Sequence, residues 1–231
     1  MIKAIYFDLF FTLIVPRYDN ENNEFTILGI TAEEWEDYAE NDPLYQERAL
    51  GLVKNEKEII EKIAAIMPFE MTDVQKERLL AARENRMKAA LNNVSEDILE
   101  VLRALKAKGV KLGLISNADV IDCKYWQQSP LAMLFDDVIF SCDVGILKPD
   151  REIYELAMAN LKVKPNECMF VGDGGSNELK GARTVGMKTV FTEAFDVKCD
   201  ERRAQILKHT DYHIKEFKEI SHLLKSINGS K

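Results

Sequence analysis

The chain has 231 residues, of which 46% are hydrophobic and 30% charged, enough for one large domain or a core with a smaller inserted one, and too apolar for a disordered segment. Its formal charge of -8, with no basic run, argues against a nucleic-acid partner. No stretch approaches the roughly 20 apolar residues of a membrane span.

Residues 2–7 are rich in aromatic and β-branched types and predict a buried strand ending at Asp8. From about Ile14 to Asn93 no strand is predicted, but helix starts recur. Thr31–Glu34, Asn55–Glu58 and Thr72–Gln75 each place a capping residue three positions before Glu or Gln. Ile59, Ile60, Ile63 and Met67 form one apolar stripe, and Leu80, Met87 and Leu91 another. An all-helical insertion after the first strand is therefore expected over 14–93, as a cap on a core made of 1–13 and 94–231. Within it, Asp19 to Glu47 carries ten acidic residues and no Lys or Arg. That segment is read as a solvated outer face, with Trp35 and Tyr38 packed within the cap; were it the entrance, it would repel a small dianion.

Further strands are predicted at 110–116, 138–141, 168–172 and 189–192, and a weaker one at 212–214. Helices separate most of them: Ser95 can cap one with Ile98, Leu99, Leu102 and Leu105 on a face, stopped by Gly109. Asp150 can cap the next, and Ser176 one ending near Gly186. Strands alternating with helices imply an α/β fold, a parallel sheet with helices on both faces. Chemistry on such sheets sits beyond the carboxyl ends of the strands.

Four segments at those ends carry polar groups. In FDLFFTL, Asp8 closes a buried strand, where a carboxylate is poorly solvated and can serve as a covalent nucleophile or cap the next turn. Thr12, four residues on, can bond the loop or the leaving group. LISNAD offers the Ser116 hydroxyl and the backbone N–H of Asn117, though Ser-Asn is also a common turn. GILKPD holds Lys148 before a Pro, where an ammonium can neutralise Asp8 and an anionic substrate, or be a surface lysine. FVGDGGSNELKGA sets Asp173 after a strand and Glu178 five residues later; converging with Asp8 they would form a hard oxygen site suited to Mg²⁺, the alternative being a Gly-rich turn.

In this order the four segments resemble the signature motifs of the haloacid dehalogenase-like superfamily, and the resemblance covers nearly the whole chain. It implies a Rossmann-like core with an inserted helical cap. It implies that Asp8 attacks, Ser116 and Lys148 hold the transferred group, and Asp173 with Glu178 serves Mg²⁺, joined by the backbone carbonyl of Phe10. The sequence departs from the pattern at Phe10, where family phosphatases carry a second Asp that protonates the leaving alcohol. An aromatic there resembles the 2-haloacid dehalogenase branch, in which halide leaves without a proton. The fourth segment points the other way, because those dehalogenases resemble Ser and Asn where this chain has Gly172-Asp173-Gly174. Asp173 beside Asp8 without a cation would place like charges in a poorly solvated site. Phosphonoacetaldehyde hydrolases offer a third pattern, with Mg²⁺ and a cap lysine, for which Lys54, Lys57 and Lys62 are available.

The expected function is Mg²⁺-dependent hydrolysis of a small, anionic, phosphorylated molecule. Carbon–halogen hydrolysis and a catalytically degenerate binding protein are the alternatives. His209, His213 and His222 have no ligand partner or nucleophile beside them in sequence, and GDGGSN lacks the Lys of a P-loop. The four cysteines show no C-x-x-C spacing and are read as reduced thiols of a cytoplasmic protein; residues 1–11 lack the pattern of a signal peptide. Oligomeric state is not legible.

Overall fold

The computed structural model describes residues 1–229. A six-stranded parallel sheet is built from β1 (Ala4–Phe7), β2 (Lys111–Ser116), β3 (Asp137–Phe140), β4 (Cys168–Gly172), β5 (Lys188–Thr192) and β6 (Tyr212–Ile214). Their spatial order is β3-β2-β1-β4-β5-β6. The order reverses between β1 and β4, and the crevice beyond their carboxyl ends is where such sheets bind ligands. Side-chain alternation divides the interior into two layers. Ile5, Phe7, Leu112, Leu114, Met169 and Val171 pack on one face against α6 (Glu96–Ala107) and α12 (Glu219–Gly229). Ala4, Tyr6, Ile115 and Phe170 pack on the other against α9 (Arg151–Leu161) and α10 (Glu178–Thr184). Both faces are covered, which is why the strands read as continuous apolar runs rather than alternating ones. The short α7 (Val120–Cys123) and α8 (Ser141–Val144) follow β2 and β3, and α11 (Asp200–Leu207) lies between β5 and β6.

Between β1 and α6 run α1 (Glu24–Leu28), α2 (Ala32–Ala39), α3 (Asp42–Ala49), α4 (Glu56–Ile66) and α5 (Asp73–Asn92). Their cluster of Leu28, Trp35, Ile59, Ile60, Ile63 and Leu79 is separate from the sheet core, and Ile121 of α7 plugs into it. The boxes at Thr31/Glu34 and Thr72/Gln75 close reciprocally, and Asn55 accepts from the amides of Lys57 and Glu58. On α5 the buried stripe is Leu79, Arg83, Met87, Ala90 and Leu91, with Leu80 half-buried beside it; an arginine thus lies within the stripe expected to be apolar.

Two local expectations need correcting. Ser176 does not cap α10: it sits in a 3-10 turn at φ 46°, Asn177 occupies the N-cap position at φ 51°, and the helix begins at Glu178. Ser95 and Asp150 occupy N-cap positions, but neither side chain bonds the helix amides. The acidic segment is mostly solvated, Asp19, Glu21, Glu33, Glu34, Asp37 and Asp42 among its exposed members; Glu24, however, is buried, and Glu36 and Glu40 border a cavity described below. Trp35 is buried and Tyr38 half-buried within the cap cluster. The four cysteines are free, and folding brings Cys123 and Cys142 to an Sγ–Sγ separation of 3.9 Å. Among the described residues no helix is long and apolar enough to cross a membrane.

Candidate active site

β1 delivers Asp8 to the sheet crest: its amide donates to Val171 O of β4 at 3.0 Å, and its side chain is almost wholly buried. The chain then turns sharply. The amides of Leu13 and Ile14 both return to Leu9 O, and the amide of Phe11 donates to Ile14 O. Phe11 takes φ 57°, a left-handed conformation that costs a non-glycine residue roughly 1–2 kcal/mol. Strain of this kind persists where the surrounding structure over-determines it. The turn returns the buried Thr12 to Asp8, its hydroxyl donating to Oδ2 at 3.2 Å.

The sheet collects the other polar segments around this carboxylate. Lys148, fully buried, donates from Nζ to Asp8 Oδ1 and to Glu178 Oε2, the latter at 2.5 Å. Asn117 at the end of β2 fixes the lysine backbone from both sides: its amide donates to Lys148 O at 3.0 Å, and its Oδ1 accepts from Lys148 N at 2.8 Å. Ser116 is buried, and its hydroxyl makes only a long 3.5 Å contact with Asn117 O, so its proton is loosely committed. β4 delivers Asp173, whose Oδ1 accepts from Gly175 N at 2.9 Å. Glu178, the first residue of α10, accepts from Gly174 N at 3.2 Å. Gly172 is required by close approach, since a Cβ there would run into the Glu178 carboxylate.

Carboxylate oxygens of Asp8, Asp173 and Glu178 all lie within 4.8 Å of one another. Burial, reinforced by the Asp8 and Asp173 charges, pushes the Glu178 carboxyl well above its ordinary range against the pull of Lys148. Burial likewise raises Asp8, against Lys148 and with the help of Asp173. Burial would lower the Lys148 ammonium, but Asp8 and Glu178 overcome it and hold the lysine above its ordinary range. A second cation was not anticipated from sequence: Lys198, beyond β5, donates to Asp173 Oδ2 at 2.6 Å and to Asp196. Three carboxyl groups thus crowd a poorly solvated crevice beside two ammonium groups, one of which is shared with Asp196. Hard oxygen donors so placed fit a divalent cation such as Mg²⁺.

Phe10 borders a cavity of about 300 Å³ where the core meets α2, α3 and α5. Asn117 lies at its core end, and Arg48, Arg83 and Arg86 come from the helices above. None of Lys54, Lys57 and Lys62 lines it; Lys62 instead pairs with Glu47 at 2.9 Å. Arg48 and Arg83, both essentially without solvent exposure, converge on the fully buried Asp119 at 2.5 and 2.8 Å, and Arg83 also reaches Asp122 at 3.0 Å. Ser141 adds a tie between core and insertion, donating to Ala49 O at 2.7 Å. These arginines were not singled out from sequence, although two signals existed: Arg48 is the first basic residue after the acidic run, and Arg83 interrupts the apolar stripe of α5.

Comparison with known proteins places this arrangement in a wider set. A model of the haloacid dehalogenase-like hydrolases matches residues 2–186. The chain is 38% identical over 107 residues to the rat bifunctional epoxide hydrolase 2, covering 44% of this chain and 19% of that protein. It is 32% identical over 134 residues to the glyceraldehyde 3-phosphate phosphatase of Pyrococcus furiosus, covering 57% of this chain and 54% of the other. The chain therefore spans about a fifth of the first relative and about half of the second. Among solved structures it resembles a HAD family enzyme of Bacteroides thetaiotaomicron in complex with magnesium and inorganic phosphate, with TM-score 0.66, 19% identity and coverage of 87% of this chain and 98% of that one. It also resembles a 2-haloacid dehalogenase of Pseudomonas syringae, with TM-score 0.65, 21% identity and coverage of 98% and 100%. At these identities the structures speak for the fold alone, but the family match spans most of the chain: the protein belongs to the haloacid dehalogenase-like hydrolases.

Proposed function

We propose that the chain is a Mg²⁺-dependent phosphatase acting on a small phosphorylated molecule through an aspartyl intermediate at Asp8. The observation that carries this reading is the convergence of Asp8, Asp173 and Glu178 within 4.8 Å, with Lys148 bridging Asp8 and Glu178. Asp8, Asp173 and Glu178, with the Phe10 backbone carbonyl, would hold the cation, which when bound supplies positive charge for the phosphoryl oxygens. One Asp8 oxygen forms a bond to phosphorus as the ester P–O bond breaks; water then cleaves the acyl phosphate and restores Asp8. Lys148, held by Asn117, and the Ser116 hydroxyl stabilise the transferring group, and Thr12 orients the Asp8 oxygen it bonds. Phe10 has no proton to give, so alkoxide leaving groups lose help typically worth about 10²–10⁴-fold. The similarity to archaeal glyceraldehyde 3-phosphate phosphatases supports the reaction class. The division into a core of 1–13 and 94–231 and a cap of 14–93, with the cap closing over the substrate, belongs to the same proposal.

The test is phosphate release from p-nitrophenyl phosphate and a panel of small esters, with Mg²⁺ and with EDTA, in the wild type and in Asp8→Asn. Activity is expected to need both the metal and Asp8; turnover surviving in Asp8→Asn refutes the reading. The Phe10 ring beside the cavity supports a second reading, carbon–halogen hydrolysis, in which Asp8 attacks carbon and halide leaves unprotonated. Halide release from 2-haloacids in EDTA would establish it in place of the first.

A further inference from the structure

Every carboxylate oxygen of Asp8, Asp173 and Glu178 already accepts a bond from the chain itself. Lys148 holds Asp8 Oδ1 and Glu178 Oε2, and Thr12 holds Asp8 Oδ2. The amide of Gly174 holds Glu178 Oε1, and that of Gly175 holds Asp173 Oδ1. Lys198 holds Asp173 Oδ2 at 2.6 Å. A carboxylate oxygen accepts more than one bond, so a metal ion can share it with a neutral donor such as an amide or hydroxyl. It cannot share it equally well with an ammonium, because the two cations repel each other, most strongly where water is scarce.

The two lysines are not equally free to move. Lys148 is buried between two buried carboxyls and has no other partner for its ammonium. Lys198 differs in three respects. Its side chain is 15% exposed. Its Nζ also donates to Asp196, whose side chain is 44% exposed, so a second and better solvated carboxylate stands ready to take the ammonium. Its backbone is fixed independently of the side chain: the amide donates to Glu193 Oε1 at 2.8 Å, and the carbonyl accepts from Arg203 Nη2 at 2.7 Å. Glu193 is buried and is itself held by Arg203 at 3.0 Å and by His213 at 2.8 Å. The loop beyond β5 is thus a firm mount for a side chain with two alternative partners.

We propose, resting on the Mg²⁺ site of the proposed function, that Lys198 is a positioning residue that sets metal affinity: it neutralises Asp173 and yields that carboxylate to Mg²⁺ by passing to Asp196. Metal binding then includes the work of moving the ammonium away, and removing the ammonium removes that work. A lysine that merely oriented Asp173 for the metal would act in the opposite sense, since its loss would loosen a ligand. Calorimetric titration with Mg²⁺ alone tells the two apart. Lys198→Met should bind Mg²⁺ about 10-fold more tightly than wild type, and Lys198→Arg, which keeps the charge, should stay within about threefold. Asp196→Asn, which takes away the second partner, should bind about 3- to 10-fold more weakly. The same change made in Lys198→Met should alter affinity by less than about twofold, because Asp196 acts through the lysine.

Opposite signs in the two single variants cannot come from a general loosening of the loop. Unchanged or weaker binding in Lys198→Met overturns the role of Lys198, as does tightening in Lys198→Arg equal to that in Lys198→Met. An Asp196→Asn variant that binds like wild type, or one whose effect persists without the lysine, overturns it too, so the outcome does not hang on one variant. Turnover of p-nitrophenyl phosphate by the same proteins separates this from the phosphatase reading. Asp8-dependent turnover by the wild type, with no tightening in Lys198→Met, overturns the role of Lys198 and keeps the phosphatase. Tightening in Lys198→Met without Asp8-dependent turnover upholds the role of Lys198 while the phosphatase reading falls. Absence of Mg²⁺ binding in both wild type and Lys198→Met overturns both.

Discussion

Asp119 joins three parts of the molecule, and replacing it with Asn removes its charge and one of its two acceptor oxygens while keeping its size. The side chain caps α7 by accepting from the amides of Ile121 and Asp122, a role Asn fills equally well. Its other oxygen receives Arg48 from α3 and Arg83 from α5, so the carboxylate binds the helical insertion to the core. All three side chains are essentially without solvent exposure, and no discount for solvent screening applies. Breaking a buried pair costs about 3–5 kcal/mol because a charge is left behind; with the Asn oxygen held by the cap, its amide N–H groups face the arginines, so the full amount of about 3–5 kcal/mol is expected. For a protein of this size that corresponds to a fall in Tm of roughly 6–20 °C. Burial pushes the Asp119 carboxyl up, but Arg83 and Arg48 overcome it and hold it below the ordinary range. A carboxyl depressed in the folded state contributes stability above its unfolded pKa of about 3.9 and loses it as pH falls through the lower native value. The difference between wild type and Asp119→Asn should therefore be full at neutral pH and shrink below about pH 4. Thermal unfolding followed by circular dichroism across that pH range measures it. A neutral-pH Tm within about 2 °C of wild type, or a gap unchanged in acid, would refute the ion-pair reasoning.

Two further outcomes follow from the same geometry. Phe10→Asp should raise turnover of alkyl phosphates by about 10²–10⁴-fold while changing p-nitrophenyl phosphate little, because a phenolate leaves without a proton; no gain on alkyl esters would mean that the loop cannot place a donor there. Gly181→Ala would set a methyl group 2.6 Å from Pro149 O and 2.7 Å from the Tyr154 ring, whose hydroxyl donates to Glu178 O at 2.8 Å. It should destabilise by about 1–3 kcal/mol in chemical denaturation, and an unchanged midpoint would show that α9 and α10 separate freely.

Much of the fold was legible because its causes are local. A run of β-branched and aromatic residues makes a strand wherever both faces can be covered, and the expected strands agree with the observed ones to within a residue or two at their ends. Thr31/Glu34 and Thr72/Gln75 close their boxes across three residues and need nothing else from the chain. Asp8 and Asp173 stand out in the sequence because a charged group at or just beyond the end of a buried strand is costly to desolvate, and a fold retains it there only when a partner or ligand offsets that cost; Lys148 and Glu178, farther from their strands, were legible only through the segments that hold them.

Local reasoning failed where two conformations cost nearly the same, as at Ser176, where Asn177 took the cap position because Glu178 had to reach Lys148 and the Gly174 amide. It also failed for partners remote in sequence that no motif links. Lys148 meets Asp8 across 140 positions, as the order of the motifs implies, but Arg48 meets Asp119 across 71 and Arg83 meets it across 36 with no such signal. A lone arginine in an apolar stripe or after an acidic run carries no record of its partner. Its charge is tolerable in the interior only once docking of the helices onto the sheet supplies the carboxylate. The sequence alone therefore determined the scaffold and the residues at its crest, because strand and cap preferences act over a few positions. Tertiary structure alone decided the opposite wall of the cavity, because buried charges are paired by docking and not by spacing.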